Sequence, residues 1–574
     1  MNGTIENLLS IFKNAGIFIL DIQGTNIPII TASKARGIGN PQKSGAVVEL
    51  DAIAVKDNII WFIEHTASNS LNIKDFDNFI QKMTFLSSPS ILLTAIDTIW
   101  QKYNIQYQKP TIDPTTKIKG LYVNPILNEA QEQTLSLRIS NNQVFIWGRD
   151  TFEYFNSLAS IIKTYSRYEF FKYFHIEPLD ISNEETDSSA NSFIHKPFID
   201  IDHGILDSRM IIFKMTPAQL LKRAYVLRNE GWRSDSFQRM IIPEKLRKIR
   251  DYIIQQGDAS FANNIIVSLD SNINPSELTT GQEGIVAIPN CFCSLCIIDG
   301  QHRLLAFTQD FYASQNPTEK QNDSIIQRMA RSEDLIVTLL VFNGTPQEIL
   351  RKQTQLFKDI NATQTRVKSD FIYNLEEIIN PATPISVSNK ILKYLSKNQN
   401  SVLYEKFSIK WYQGGRIKRS SAVRWGLSDL VDPNLPFLYS KLKNKSIKQE
   451  YQRGEVDNYV IFCAEELEKY FSIIRKVYQK KYKRKKIWDF PSKTKMMLLS
   501  TSGVVGFLRL FRHFLLSQIP PENYERYLDK ITVNFQKRNY RYTSSQWARL
   551  EEKMFDDIRK TYKRFGDESL IKRK

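Results

Sequence analysis

The first 180 residues show both the helical and the strand period of apolar positions. From Thr4 to Lys13 the apolar residues recur at helical spacing, and Ile17–Ile22 reads as a strand. Val47–Val55 and Ile59–Glu64 are apolar runs joined by Lys56, Asp57 and Asn58, which predicts a hairpin. A helix is predicted over Ile73–Phe85 and a strand over Gln143–Trp147. Thr151–Phe174 reads as one long aromatic helix, with Tyr154, Phe155, Leu158, Ile161, Ile162 and Tyr165 along its buried face.

Ile181–His195 is poor in apolar residues and rich in Ser, Asn, Glu and Asp, the pattern of a linker, here taken as residues 181–200. A new unit begins at the strand Met210–Met215. Thr216, Pro217 and Gln219 then open a helix as N-cap, N1 and N3. Strands Asn264–Leu269, Gly284–Ile288, Cys293–Ile298 and Leu335–Phe342 alternate with helices near 301–313, 345–358 and 366–379. From residue 380 the pattern is helical, and no repeat of solenoid period is present. The expected fold class is α/β multidomain: an α/β domain at 1–180, the linker, an α+β domain at 201–380 and a helical lobe at 381–574.

Composition narrows this. A chain of 574 residues allows about three or four domains. With 42% hydrophobic and 24% charged residues, wholesale disorder is excluded. Four cysteines are too few for a disulfide framework, so a reducing cytoplasm is expected. No apolar run is long enough to span a bilayer, and Met1–Glu6 lacks the basic start of a signal peptide. The net charge of +17 is unevenly placed: residues 1–400 carry about −2 and residues 401–574 about +19. The densest run, Lys476, Lys480, Lys481, Lys483, Arg484, Lys485 and Lys486, is interleaved with Tyr478, Tyr482 and Trp488. Lys537, Arg538, Tyr540, Arg541 and Tyr542 form a second run. Basic side chains neutralise phosphates and aromatics stack on unpaired bases, so this third of the chain is expected to contact nucleic acid, with Arg416, Lys418 and Arg419 on the same surface.

The sharpest local signal is Asp299, Gly300, Gln301, His302 and Arg303, set between the strand Cys293–Ile298 and the helix opened by Leu304. A strand, a glycine turn and a helix start gather free N–H groups, an arrangement suited to an anion. Arg303 and His302 offer further donors, and Asp299 a cap or a cation ligand.

These five residues resemble the motif that names the DGQHR-domain proteins, which include DndB of DNA phosphorothioation systems. Phe237, Gln238 and Arg239 with the segment Lys245–Tyr252, then Phe357, Ile360, Asn361, Gln364, Arg366 and Val367, then Gly415, Arg416 and Ile417, resemble further segments of that family. The resemblance covers about residues 205–430. It implies a core like that of the ParB/sulfiredoxin superfamily and a nucleotide, such as ATP, held at the motif. Asp299, Gln301, His302 and Arg303 would do the chemistry; Gly300, Arg303, Gln238, Arg239, Asn361 and Gln364 would bind the nucleotide. Gln301 stands where sulfiredoxins carry their catalytic Cys, so their redox chemistry is not implied. No Walker A pattern is present, so any ATPase would be of an unusual type.

The hairpin carries a second resemblance. Asp51 on its first strand and Glu64 on its second follow the pattern of PD-(D/E)XK nucleases, which implies a restriction-endonuclease-like fold and Mg²⁺ held by Asp51 and Glu64, with Glu6 as an additional acid. Thr66 occupies the position of that pattern's Lys; Lys74 or Lys82 would replace it only if the fold brings one back. Elsewhere, Cys291, Cys293 and Cys296 read as buried thiols on a strand rather than zinc ligands. His513 reads as surface or core filler, and Ser500–Gly506 as a site of close helix packing. The sum is an accessory or regulatory protein of a DNA-modification or anti-phage system, binding DNA and a nucleotide and partnered by other proteins of that system. The alternatives are a Mg²⁺-dependent nuclease or a non-catalytic repressor or scaffold.

Overall fold

The chain opens with a helix because Leu8, Ile11 and Phe12 fall on one face and Thr4 caps the start through Asn7 N–H (3.4 Å): α1, Ile5–Asn14. The computed structural model describes residues 4–25, 27–28, 47–66, 68, 71–140, 143–177, 180–181, 193–201, 206–226, 241–257, 261, 263–270, 273, 278, 285–308, 317–364, 369–409, 416–484, 486–543 and 545–567. Its contacts divide it between Phe357 and Lys358.

In the first unit, β1 (Phe18–Asp21), a short pair β2 (Ile27–Pro28) and β3 (Val47–Val48), β4 (Ala52–Lys56) and β5 (Ile59–His65) precede two helices, α2 (Ile73–Leu86) and α3 (Pro89–Lys102). Then come β6 (Lys117–Val123), α4 (Glu129–Ser136), β7 (Val144–Trp147), α5 (Arg149–Ile162) and α6 (Arg167–Tyr173). The sheet order is β1-β4-β5-β6-β7, antiparallel up to β5 and parallel beyond it. Strand alternation decides which helix covers which face. Ala52, Ala54, Trp61 and Ile63 share a core with α1 and α5, whereas Ile53, Val55, Ile60 and Phe62 meet α2 and α3. Burying each large apolar side chain of this kind contributes roughly 1.5–3 kcal/mol.

Two expectations change here, and one strand is added. The strand foreseen over Val47–Val55 is broken at Glu49–Asp51 into β3 and β4. The long aromatic helix is two helices, because Lys163 takes φ +49° and a 3₁₀ turn at Lys163–Ser166 lets α6 fold Phe170 and Phe174 onto Trp147. Sequence reading passed over β6, which carries Lys117, Lys119 and Gly120. A Cβ at Gly120 would stand 2.7 Å from Met83 Cγ, so glycine is what lets α2 approach that strand.

Next come β8 (Phe193–Ile201), β9 (Ser208–Met215), α7 (Pro217–Arg223), β10 (Ala224–Val226) and α8 (Pro243–Gln256). They are followed by β11 (Ile265–Leu269), β12 (Ile285–Pro289), β13 (Leu295–Asp299), α9 (Gln301–Leu305), α10 (Pro317–Ser332), β14 (Leu335–Phe342) and α11 (Pro346–Gln364). The seven strands run β10-β13-β11-β14-β9-β8-β12. The foreseen linker therefore ends early: residues from Phe193 on belong to β8, paired with both β9 and β12. The two sheets share one apolar core; Tyr168 and Phe171 of α6 meet Phe292 at ring-centroid distances of 5.4 and 5.3 Å.

The second unit is helical. Its main helices are α12 (Ser369–Ile379), α13 (Pro384–Lys397), α14 (Asp457–Lys481), α15 (Thr501–Leu516) and α16 (Trp547–Arg559). Ser500 caps α15 through Gly503 N–H (3.0 Å), and a Cβ at Gly506 would stand 2.6 Å from Leu550, so the small residues of 500–506 do permit close helix packing. No helix among the described residues is long and apolar enough to cross a membrane.

Candidate functional site

Asp299 ends β13, a strand whose four preceding residues are buried between β10 and β11. The chain then turns through Gly300 at φ +96°, a left-handed conformation that glycine adopts without steric cost, and enters α9. Asp299 and Arg303 close on each other at 2.7 Å, and Arg303 also donates to the carbonyl of Asn263. Burial lowers the pKa of the Arg303 guanidinium, opposed by Asp299. His302 Nε2 accepts the Ile242 N–H at 3.2 Å, at the start of α8, and Gln301 is buried.

The helix expected over 301–313 stops at Leu305. Arg250, wholly buried on α8, explains the stop: its Nη1 takes the Ala306 and Thr308 carbonyls at 2.9 and 2.6 Å, and its Nη2 pairs with Asp323. Carbonyls bound by a guanidinium do not need a further helical turn to satisfy them. Sequence reasoning placed Arg250 in a family-like segment but gave it no role; its spacing at i+4 from Leu246 and i−3 from Ile253, which puts it on the helix's buried face, is the signal that was there to use. Gln238, Arg239 and Arg366 lie outside the described residues. Asn361 and Gln364 stand on α11, their side chains outside what is described.

The chain is DndB-like over this stretch. Residues 203–380 match the family model described as DndB, DNA-sulfur modification-associated. No curated protein and no solved structure matches the chain. The DndB-like stretch includes the Asp299–Arg303 corner, Arg250 and α8 to α12, and it stops short of the Gly415–Ile417 segment.

The second candidate lies at the mouth of the β4–β5 hairpin. Asp51 opposes Glu64, since Asp51 N–H bonds to Ile63 O (3.0 Å) and Asp51 Oδ2 accepts His65 N–H (2.7 Å). Glu64 faces α2, which brings Lys82 Nζ to 2.8 Å from its carboxylate. Burial pushes the Glu64 carboxyl up, opposed by Lys82. On neighbouring β6, burial pushes the Tyr122 phenol up to about 12, with Asp75 and Glu64 adding to it. So the fold does bring a lysine back, and it is Lys82; Lys74 is exposed. Glu6 is exposed on α1, whose helix packs on the opposite face of the sheet, so it does not join this group. Among the described residues no group of three or more His, Cys, Asp or Glu is placed to hold a metal ion.

The third candidate is the basic end of α14. Lys480, Lys481, Lys483, Arg484 and Lys486 are exposed there, and Lys485 lies outside the described residues. Glu525 takes Lys476 at 2.9 Å and Lys480 at 3.8 Å. Lys483, Arg484 and Lys486 form no ion pair among the described residues. The aromatics expected to stack on bases do otherwise. Tyr478 is fully buried, Tyr482 OH accepts Phe535 N–H (2.8 Å), and Trp488 Nε1 donates to Val402 O (2.8 Å). Interleaving with lysine reflected a helix with one buried face. Lys418 is exposed and Arg416 lies 3.7 Å from Glu405. Arg419 is not on a surface at all: at 2% exposure it donates to Asn374 Oδ1 (2.9 Å). Of the three cysteines read as buried thiols on a strand, only Cys296 is both: Cys291 is half-buried, and Cys293 is buried but sits in the turn before β13 at φ +52°, while His513 pairs with Glu551 at 2.8 Å.

Proposed function

We propose that this protein is a DNA-binding accessory or regulatory component of a DNA-sulfur modification system. The match of residues 203–380 to the DndB family model carries the reading. The exposed cations at the end of α14, without an ion pair among the described residues, support a phosphate-binding surface in the second unit. In this reading the Asp299–Arg303 corner takes the phosphates of a nucleotide such as ATP, with Arg303 exchanging Asp299 for the incoming anion. Fluorescence anisotropy on a labelled duplex tests the DNA-binding part. The full chain should bind, and the triple variant Lys483→Glu, Arg484→Glu, Lys486→Glu should bind at least tenfold more weakly. Equal affinity of the two proteins would overturn the assignment.

One observation favours a second reading, cleavage of nucleic acid at the hairpin mouth: Lys82 stands 2.8 Å from Glu64 and supplies the cation that Thr66 does not. Asp51 and Glu64 would hold the Mg²⁺, an ion commonly bound through one or two carboxylates, water and substrate phosphate. Plasmid cutting that needs Mg²⁺ and is lost in both Asp51→Ala and Lys82→Ala is the expected result. Cutting that survives Lys82→Ala removes this reading.

A further inference from the structure

The base-stacking function expected of Tyr478, Tyr482 and Trp488 has another candidate in the second unit. Ala422–Leu427 forms a π-helical turn, a wider winding often found at functional sites. Its cause is local. Gly426 lets α15 approach so closely that a Cβ there would stand 2.6 Å from Leu508. Arg512, on α15, donates to the carbonyls of Trp425 and Gly426 at 3.3 and 3.4 Å and is held by Asp429 at 2.7 Å. While Ala422, Val423, Gly426 and Leu427 are buried, Trp425 is turned out and left 44% exposed.

Trp425 does not stand alone. The ring of Trp547, at the start of α16, lies 6.1 Å away at an interplanar angle of 30°. The Arg424 guanidinium lies 5.2 Å from the Trp425 ring centroid. Lys537, Arg538 and Arg541 are exposed within ten residues of Trp547 in the chain. An apolar protein partner would be met by an apolar rim; this indole has the Arg424 guanidinium beside it, in a region carrying about +19. Aromatic faces bordered by cations suit a ligand with both π faces and negative charge, which is an unpaired nucleotide.

We infer that Trp425 and Trp547 form a stacking platform for the bases of single-stranded DNA. This deepens the DNA-binding reading and rests on it, adding that the surface prefers unpaired over paired strands. The test compares a labelled oligothymidine with a duplex of equal length at one salt concentration, using the full chain. Trp425→Ala should weaken oligothymidine binding about tenfold, the loss of roughly one base–aromatic stack. Trp425→Phe should recover most of that loss, and duplex affinity should stay within about twofold throughout. Arg424→Glu, at an exposed position, should weaken oligothymidine binding without touching the fold. The inference is overturned if Trp425→Ala and Arg424→Glu leave oligothymidine affinity unchanged, or if Trp425→Ala weakens both DNA forms equally. It is also overturned if an unpaired RNA binds more tightly than the DNA. Wild-type protein that binds duplex but not oligothymidine removes this inference and leaves the DNA-binding reading standing; protein that binds neither removes both.

Discussion

The Asp299–Arg303 corner and the basic end of α14 use charge in opposite ways. At the corner each cation has a partner inside the fold: Arg303 has Asp299 and the Asn263 carbonyl, and Arg250 has Asp323 and two carbonyls. At the end of α14, Glu525 is shared between Lys476 and Lys480, and three further cations face solvent without an acid among the described residues. The difference teaches that a contiguous motif is first a device for shaping a turn. A charge surplus with no internal partner among the described residues is open to a partner outside the fold, because it need break no ion pair of its own to meet one.

Three variants sharpen that contrast. Arg250→Ala should cost the most, about 3–5 kcal/mol, since it removes a fully buried guanidinium from two carbonyls and from the half-buried Asp323; a urea titration reads it. A loss below 1 kcal/mol would mean that the corner is not held from α8. Gly300→Ala should cost about 1–3 kcal/mol by the same titration. Its φ of +96° is unfavourable for any other residue, and the new Cβ would stand 2.6 Å from Ile265 Cδ1. The triple Lys483, Arg484 and Lys486 charge reversal should change stability least, within about 0.5 kcal/mol, while changing DNA affinity most. If it unfolds the protein, these cations are structural and the contrast fails.

Much of the first unit was legible in the sequence, because strands buried on both faces and capped amphipathic helices leave strong periodic signals. Thr216 caps its helix through Gln219 N–H, as its position suggests. What was not legible came from distance in the chain. Lys82 reaches Glu64 only because β5 and α2 fold onto each other, and no local spacing encodes that. The strand around Gly120 was passed over, and the glycine's close approach to Met83 depends on a helix that packs on it from elsewhere in the chain. The helix after Arg303 was read too long because the residue that ends it, Arg250, stands more than fifty positions earlier. Similarly, Tyr478 and Arg419 carry the right side chains for nucleic acid on the wrong side of their elements. Composition identified the basic third, and packing decided which of its residues remain outside.

The central claim is that unpaired cations of the second unit neutralise DNA phosphates. It is tested most directly by the slope of log affinity against log salt for duplex DNA, measured on the wild type and on the triple reversal variant. Each lost phosphate contact should flatten the slope by about 0.9, so the account predicts a decrease of roughly two to three. Identical slopes for the two proteins would contradict it.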